Sequence, residues 1–334
     1  MKPDHHKNLG IIIGLSAVIV SVDGYEPKVF IVRGAEHALA VGITSSADEG
    51  GDALPFGPFD PDGHETLERG LRDWVKNQTP VTPGYVEQLY TFGNRGRYVV
   101  QKDSEPRVIS IGYLALTHQE KIRTSQNIFW GDWYSYFPWE DWRSGRPESV
   151  ISVIEPELKK WVQAAGSREE KLYRRSRADA CFGLEGAAWD DEKVLERYEL
   201  LYEVRLVREA LRDKGIKDDR RLAPGKAMLY DHRRILATAM GRLRGKLKYR
   251  PVVFELIPEE FTLLRLQKTV EAISGHALHK QNFRRLVESS GMIEEIKGKK
   301  SAAAGGRPAA LFRFRRDVAL ERPLPPGEKL SAAS

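Results

Sequence analysis

Two runs rich in β-branched residues, 11–22 (IIIGLSAVIVSV) and 28–33 (KVFIVR), flank the turn-forming pair Asp23-Gly24. They predict a hairpin or two neighbouring strands. A third strand is expected at Ala38–Thr44, ahead of a Gly/Asp/Pro-rich loop over 49–63. Glu65 to Asn77 then places Leu67, Leu71, Trp74 and Val75 at i, i+4, i+7 and i+8, one apolar helix face. Pro80 and Pro83 end it. Tyr85–Phe92 and Val108–Thr117 read as strands around a polar loop, 93–106. Strands, one helix, then more strands describe an α+β unit.

The pattern changes after that. Residues 127–147 hold four of the seven tryptophans but are too polar and too broken by Gly and Pro for a regular element. A lid or a packing insert is expected there. From Pro156 to Asp213 the periodicity is helical. Glu196–Arg212 reads as one helix with Leu200, Val204, Val207 and Leu211 on a stripe that must pack on its own unit or on a dimer partner. A charged stretch with Pro-Gly, 214–226, is the expected linker, and the tail 323–334 is expected to be disordered.

The last third reads as helix, helix, turn, helix and two strands. Residues 231–248 predict a helix with Ile235, Leu236, Ala239, Leu243 and Leu247 inside and Arg233, Arg234, Arg242, Arg244 and Lys246 outside. Thr262 is a fair N-cap for a second helix, which Gly275 would end. Four residues later a third helix begins, with Phe283, Leu286 and Val287 inward and Lys280, Gln281, Asn282, Arg284 and Arg285 in its opening turns. Two short strands, Met292–Lys297 and Leu311–Arg315, bracket a basic loop. A helix-turn-helix followed by such a wing is a DNA-reading arrangement. Arg, Lys, Gln and Asn have the donors and acceptors to read base edges in the major groove. Lys299, Lys300 and Arg307 of the wing suit phosphates or the minor groove.

Charge strengthens this. The net charge of +6 divides into +11 over residues 226–334 and −5 over the remainder, so the basic part suits a polyanion. The longest apolar stretch, Gly10–Val20, is far short of the roughly 18–20 residues of a membrane span. A single cysteine, Cys181, excludes an internal disulfide and a Cys-pair zinc site and fits a reducing cytoplasm, the expected location; it reads as a buried residue. A P-loop, Gly-x-Ser-x-Gly and Gly-x-Gly-x-x-Gly are missing from the sequence.

Several ordered strings resemble one family. Val86-Glu87-Gln88-Leu89-Tyr90-Thr91-Phe92-Gly93, Arg107-Val108-Ile109-Ser110 and Gly112-Tyr113-Leu114-Ala115-Leu116 look like the core of Nudix-related transcriptional regulators. Asp231–Leu236 and Arg242–Leu247 are similar to the family's linker helix. Phe254-Glu255-Leu256, Glu260-Phe261-Thr262-Leu263, Asn282-Phe283-Arg284-Arg285 and Gly306-Arg307-Pro308 match its C-terminal domain. The resemblance is closest to the repressors of NAD biosynthesis. It implies a Nudix-like α/β/α sandwich over 1–222, with a helical insert near 120–215, and a winged helix-turn-helix over 226–322. It also implies a nucleotide effector (ATP, NAD or ADP-ribose), a homodimer and a palindromic double-stranded operator.

An active Nudix hydrolase needs glutamates on one helix face to hold Mg²⁺ against a pyrophosphate. Laid on the family's motif, this chain has Pro58 for the first Gly, His64 for the first Glu, then Arg72 and Asp73. Lys76 and Asn77 replace the metal-binding Glu pair, and a shift by one residue gives Asn77 and Gln78. The expectation is therefore a sensor that binds a nucleotide without hydrolysing it and has no catalytic or metal residues. Tyr90 and Phe92 would stack on a base, and Arg95, Arg97 and Arg107 would meet phosphates. The alternatives are a divergent pyrophosphatase using Glu65, Glu68, Asp73 and Glu87, and a nucleotide sensor that binds a protein partner.

Overall fold

A computed structural model describes residues 10–33, 51–81, 84–94, 107–118, 125, 127–217, 221–249, 252–301 and 308–315. Strands β1 (Ile11–Asp23) and β2 (Glu26–Arg33) form the expected hairpin, with Asp23 opposite Glu26 and Gly24 at φ +61° in the turn. The strand expected at Ala38–Thr44 lies outside the described residues. Strands β3 (Asp52–Ala53) and β4 (Phe56–Pro58) add to β2 and β1. Helix α1 (Leu67–Gln78) follows, and the Thr66 hydroxyl accepts from Arg69 N at 3.1 Å as its N-cap. Strand β5 (Tyr85–Phe92) pairs antiparallel with β6 (Arg107–Leu116), which runs parallel to β1 from Ile11↔Arg107 to Val20↔Leu116.

The alternation of β1 sets the layers. Leu15, Ala17 and Ile19 point to one face, packed with Phe30, Tyr113, Ala115 and the α1 residues Leu71 and Val75. Val18, Val20 and Val22 point to the other, against a larger core of insert and helix residues. Burial on both faces explains why β1 reads as a continuous apolar run.

The aromatic segment is a packing insert. Its first part, β7 (Ile128–Asp132), pairs with β2, and Trp133, Tyr136, Phe137 and Trp139 behind it are fully buried. Helices α2 (Glu155–Gln163) and α3 (Arg168–Phe182) follow, and Cys181 is buried as expected. The single helix expected over 196–212 is two, α4 (Val194–Glu203) and α5 (Arg208–Asp213). Arg205 turns left-handed at φ +59° and Leu206 N closes on Leu201 O at 2.8 Å, a helix stop of the kind usually made at glycine. The break lets Leu200, Leu201, Leu206, Val207 and Ala210 all reach the core.

Helix α6 (His232–Tyr249) packs its Ile235, Leu236, Ala239, Met240 and Leu243 into the core behind the sheet. Leu247, near its C-terminal end, packs against both this core and the smaller C-terminal one. Two of the arginines expected on its outer face are inside: Arg233 and Arg244 are buried. Arg233 Nη1 meets Glu209 Oε2 at 3.1 Å, and Arg244 Nη1 meets Glu140 Oε2 at 2.7 Å, so each charge has a buried counter-ion. Lys246 is half-buried against Glu87 at 3.0 Å.

A second, smaller core collects Val253, Ile257, Phe261, Leu266 and Phe283. Around it lie β8 (Glu260–Phe261), α7 (Leu263–Ser274), α8 (Lys280–Ser289), β9 (Ile293–Lys300) and β10 (Ala310–Phe314), the sheet ordered β8-β10-β9. Thr262 caps α7 by accepting from Arg265 N at 3.1 Å, and Gly275 ends it at φ +81°. This is a winged helix. Among the described residues, no helix is long and apolar enough to cross a membrane.

Candidate nucleic-acid interface

Helix α8 seats one side on the small core through Phe283 and Val287. Their spacing of four turns Lys280, Gln281, Asn282, Arg284 and Arg285 outward, and all five are exposed. Gln281 and Arg285 lie most directly opposite Phe283, on one line along the free face. Leu286, expected inward, is 48% exposed and lies outside the small core. A helix about 10–12 Å across with its side chains fits a major groove about 12 Å wide.

The turn leading into α8 is held from inside. Glu271, buried on α7, accepts from Leu278 N at 3.0 Å and from Gln267 Nε2 at 2.9 Å, while Lys268 Nζ lies 2.7 Å from its other oxygen. Gln267 Nε2 also donates to Leu278 O at 3.0 Å. These bonds hold the Glu271 carboxyl below its usual range against the opposing effect of burial.

In the wing, β9 runs further than expected, so Lys299 and Lys300 sit on the strand, with Lys300 opposite Ala310. Both are exposed, and Lys299 Nζ pairs with Glu260 at 2.6 Å. Arg307 lies outside the described residues.

Among its described residues, the Nudix-like half does not gather the carboxylates of a magnesium site. Lys76 and Asn77 are exposed on the last turn of α1, where the metal-holding glutamates would stand. Two of the alternative carboxylates are drawn into ion pairs, Glu68 with Arg72 at 2.8 Å and Glu87 with Lys246 at 3.0 Å, and Glu87 also accepts from the Tyr85 hydroxyl at 2.7 Å. Among the described residues no three His, Cys, Asp or Glu side chains gather closely enough to hold a metal ion. Trp74 lies over Gly57, donating its Nε1–H to Pro58 O at 2.8 Å, and Gln78 bonds both backbone groups of Phe56. The residues present do not fit Mg²⁺.

Of the proposed effector contacts, Tyr90 is 60% exposed and free to stack on a planar ligand. Phe92 is not. It is buried, meets Tyr90 edge to face at 5.4 Å, and carries the Arg234 guanidinium over its ring at 5.2 Å, so it is a packing residue. Arg107 is exposed and donates to Gly93 O at 2.7 Å. Arg95 and Arg97 lie outside the described residues.

Composition gave no sign of the buried arginines, yet their spacing carries one. Arg233, Leu236, Met240 and Arg244 fall at i, i+3, i+7 and i+11, so both guanidinium groups leave α6 on a face it shares with core residues.

Residues 253–314 match the model of the NrtR DNA-binding winged helix domain. A relative from Acinetobacter baylyi, the ADPR responsive transcriptional repressor NtrR, is 42% identical over 87 residues, which are 26% of this chain and 34% of that protein. The matched part thus spans about a third of that relative's length. NrtR of Shewanella oneidensis superposes with a TM-score of 0.53 at 20% identity, covering 93% of this chain and 97% of that one. The same protein complexed with a 27mer DNA superposes with a TM-score of 0.50 at 21% identity, over 94% and 99% of the two chains. The fold is that of Shewanella oneidensis NrtR over most of the chain, ending in a winged helix. More narrowly, residues 253–314 are a winged helix of the NrtR type.

Proposed function

We propose that this chain is a DNA-binding transcriptional repressor, of NAD biosynthesis genes, whose Nudix-like half senses ADP-ribose. The observation that carries the reading is the exposed Lys280–Arg285 face of α8, set on a turn locked by Glu271 and followed by a wing. A response to ADP-ribose is supported by the name of the Acinetobacter relative. In this reading residues up to 222, insert included, form the sensor, and 226–322 form the reader, with α6 joining them. Lys280, Gln281, Asn282, Arg284 and Arg285 face base edges and phosphates. Lys299, Lys300 and Arg307 follow the backbone beside them. Tyr90 with Arg95, Arg97 and Arg107 meets the effector.

The protein acts in the cytoplasm as a homodimer on a palindromic operator, since one winged helix buries little DNA surface and two linked half-sites raise affinity without new contact types. It binds the nucleotide and leaves it intact, because a lysine where a Mg²⁺ ligand belongs repels the cation.

The test is a gel shift of the full chain on its own upstream region and on NAD-pathway promoters, with and without ADP-ribose, ATP and NAD. A specific shift that ADP-ribose alters is expected. Product analysis in Mg²⁺ and Mn²⁺ should show the nucleotides unchanged, and turnover of any of them would refute the inactive-sensor reading.

A further inference from the structure

Helix α7, the first of the DNA-reading pair, is gripped at both ends by the sensor half and the joining helix α6. At its C-terminal end, Tyr134 Oη donates to Ala272 O at 2.7 Å, Arg244 Nε to Ile273 O at 3.0 Å, and Trp142 N to Gly275 O at 2.8 Å. The Ala272 and Ile273 carbonyls are among those a helix end leaves without intrahelical partners. At the other end, the Arg265 guanidinium donates to Val22 O at 3.2 Å and Gly24 O at 3.0 Å, in the β1–β2 hairpin.

The C-terminal grip converges on one buried carboxylate. Glu140 takes Arg244 Nη1 on Oε2 at 2.7 Å and Arg197 Nε on Oε1 at 2.6 Å, and all three side chains are buried. Arg244 Nη2 also reaches the Glu140 backbone oxygen at 3.1 Å, and Nη1 the Asp191 oxygen at 3.2 Å. Arg197 belongs to α4, Glu140 to the aromatic insert and Arg244 to α6, so two sensor elements and the joining helix meet α7 here. Gly275 closes the joint: a Cβ there would lie 2.5 Å from Glu140 O and 2.9 Å from Arg244 Nη2. Onward from α7, the bonds of Glu271 and Gln267 to Leu278 fix where α8 begins.

Two guanidinium groups on one dry carboxylate are a poor device for stability alone, because apolar side chains of similar volume often serve as well. They do fix direction, since each fork of donors fits one arrangement of acceptors. We propose that Arg244 is a positioning residue for operator recognition: through Glu140 it binds α7, and so α8, to α4 and the aromatic insert, making the recognition helix follow the state of the sensor. The proposal rests on the DNA-binding reading above.

The experiment measures operator affinity of the full chain with and without ADP-ribose, for wild type, Arg244→Lys and Tyr134→Phe. The quantity read is the ratio of the two dissociation constants, which is the coupling between the sites. Titration of ADP-ribose without DNA and thermal melting accompany it. Both variants are expected to bind ADP-ribose within about twofold of wild type and still to bind operator, while the ratio falls toward one. A merely structural role would weaken operator binding equally with and without effector and keep the ratio; that result overturns the proposal. Should Arg244→Lys fail to fold, Tyr134→Phe, which removes one hydroxyl, decides alone. A wild-type chain that binds no operator, or binds it with no response to ADP-ribose, overturns the functional reading and this proposal together. An unchanged ratio in the variants overturns only the joint.

Discussion

Replacing Arg233 by Met tests the most consequential departure from the periodicity of α6. On a solvated outer face such a change would shift stability by less than about 0.5 kcal/mol. In the structure Arg233 is 1% exposed, donates to Tyr136 O through Nε at 3.1 Å and through Nη2, and pairs with Glu209, itself 2% exposed. Phe137, Trp139 and Tyr198 surround the guanidinium with ring centroids 5.2, 5.2 and 5.6 Å away. Met fills similar space but leaves the Glu209 carboxylate, which also accepts from Met228 N at 3.0 Å, without its Arg233 counter-ion. Stranding a buried charge in this way costs about 3–5 kcal/mol. Urea unfolding followed by circular dichroism reads the loss. Adding Glu209→Gln to Arg233→Met removes the stranded charge and should recover more than half of it. A loss under about 1 kcal/mol, or a double variant no more stable than the single one, would refute the buried-pair assignment.

Acid should weaken the fold before the carboxylates titrate. His232 is fully buried, accepts from Leu54 N at 3.1 Å through Nδ1, and is held by burial and the Arg212 charge at a pKa of about 3. Unfolded, it takes a proton near pH 6.5, so the unfolded state binds more protons below that value. Stability should fall by up to about 1.4 kcal/mol per pH unit between pH 6 and 4.5, and His232→Gln should flatten that slope. Urea midpoints independent of pH over this window would contradict it. In the sensor, Phe92→Ala should cost about 3–5 kcal/mol as a buried aromatic, whereas Tyr90→Ala should leave stability within about 0.5 kcal/mol and weaken ADP-ribose binding in calorimetry. The reverse ranking would reinstate Phe92 as a ligand contact.

What could be read from the chain was whatever a short-range pattern decides. The β1–β2 hairpin declared itself by two β-branched runs around Asp23-Gly24, α1 by its apolar face, and the winged helix by Thr262, Gly275 and the polar turns of α8. The α4–α5 break escaped because its left-handed residue is Arg205 rather than a glycine. Arg233 and Arg244 escaped because helical periodicity places a side chain on a face without saying what faces it. Glu140 and Glu209, their counter-ions, lie 104 and 24 residues away in sequence. Phe92 was misjudged for a related reason: alternation places Tyr90 and Phe92 on one face of β5 without saying that Arg234 of α6 covers Phe92. The exposed α8 residues were readable because no other described residue covers them.

The most direct test of DNA reading is fluorescence anisotropy of a labelled operator duplex with wild type and with Arg284→Ala/Arg285→Ala. Both side chains are exposed on α8 and contribute nothing to the small core, so circular dichroism and melting should be unchanged. If α8 enters the major groove, the double variant should lose about 1–3 kcal/mol for each base-reading contact, roughly a five- to 150-fold weakening per contact. Wild-type affinity for operator in the folded double variant would contradict the account.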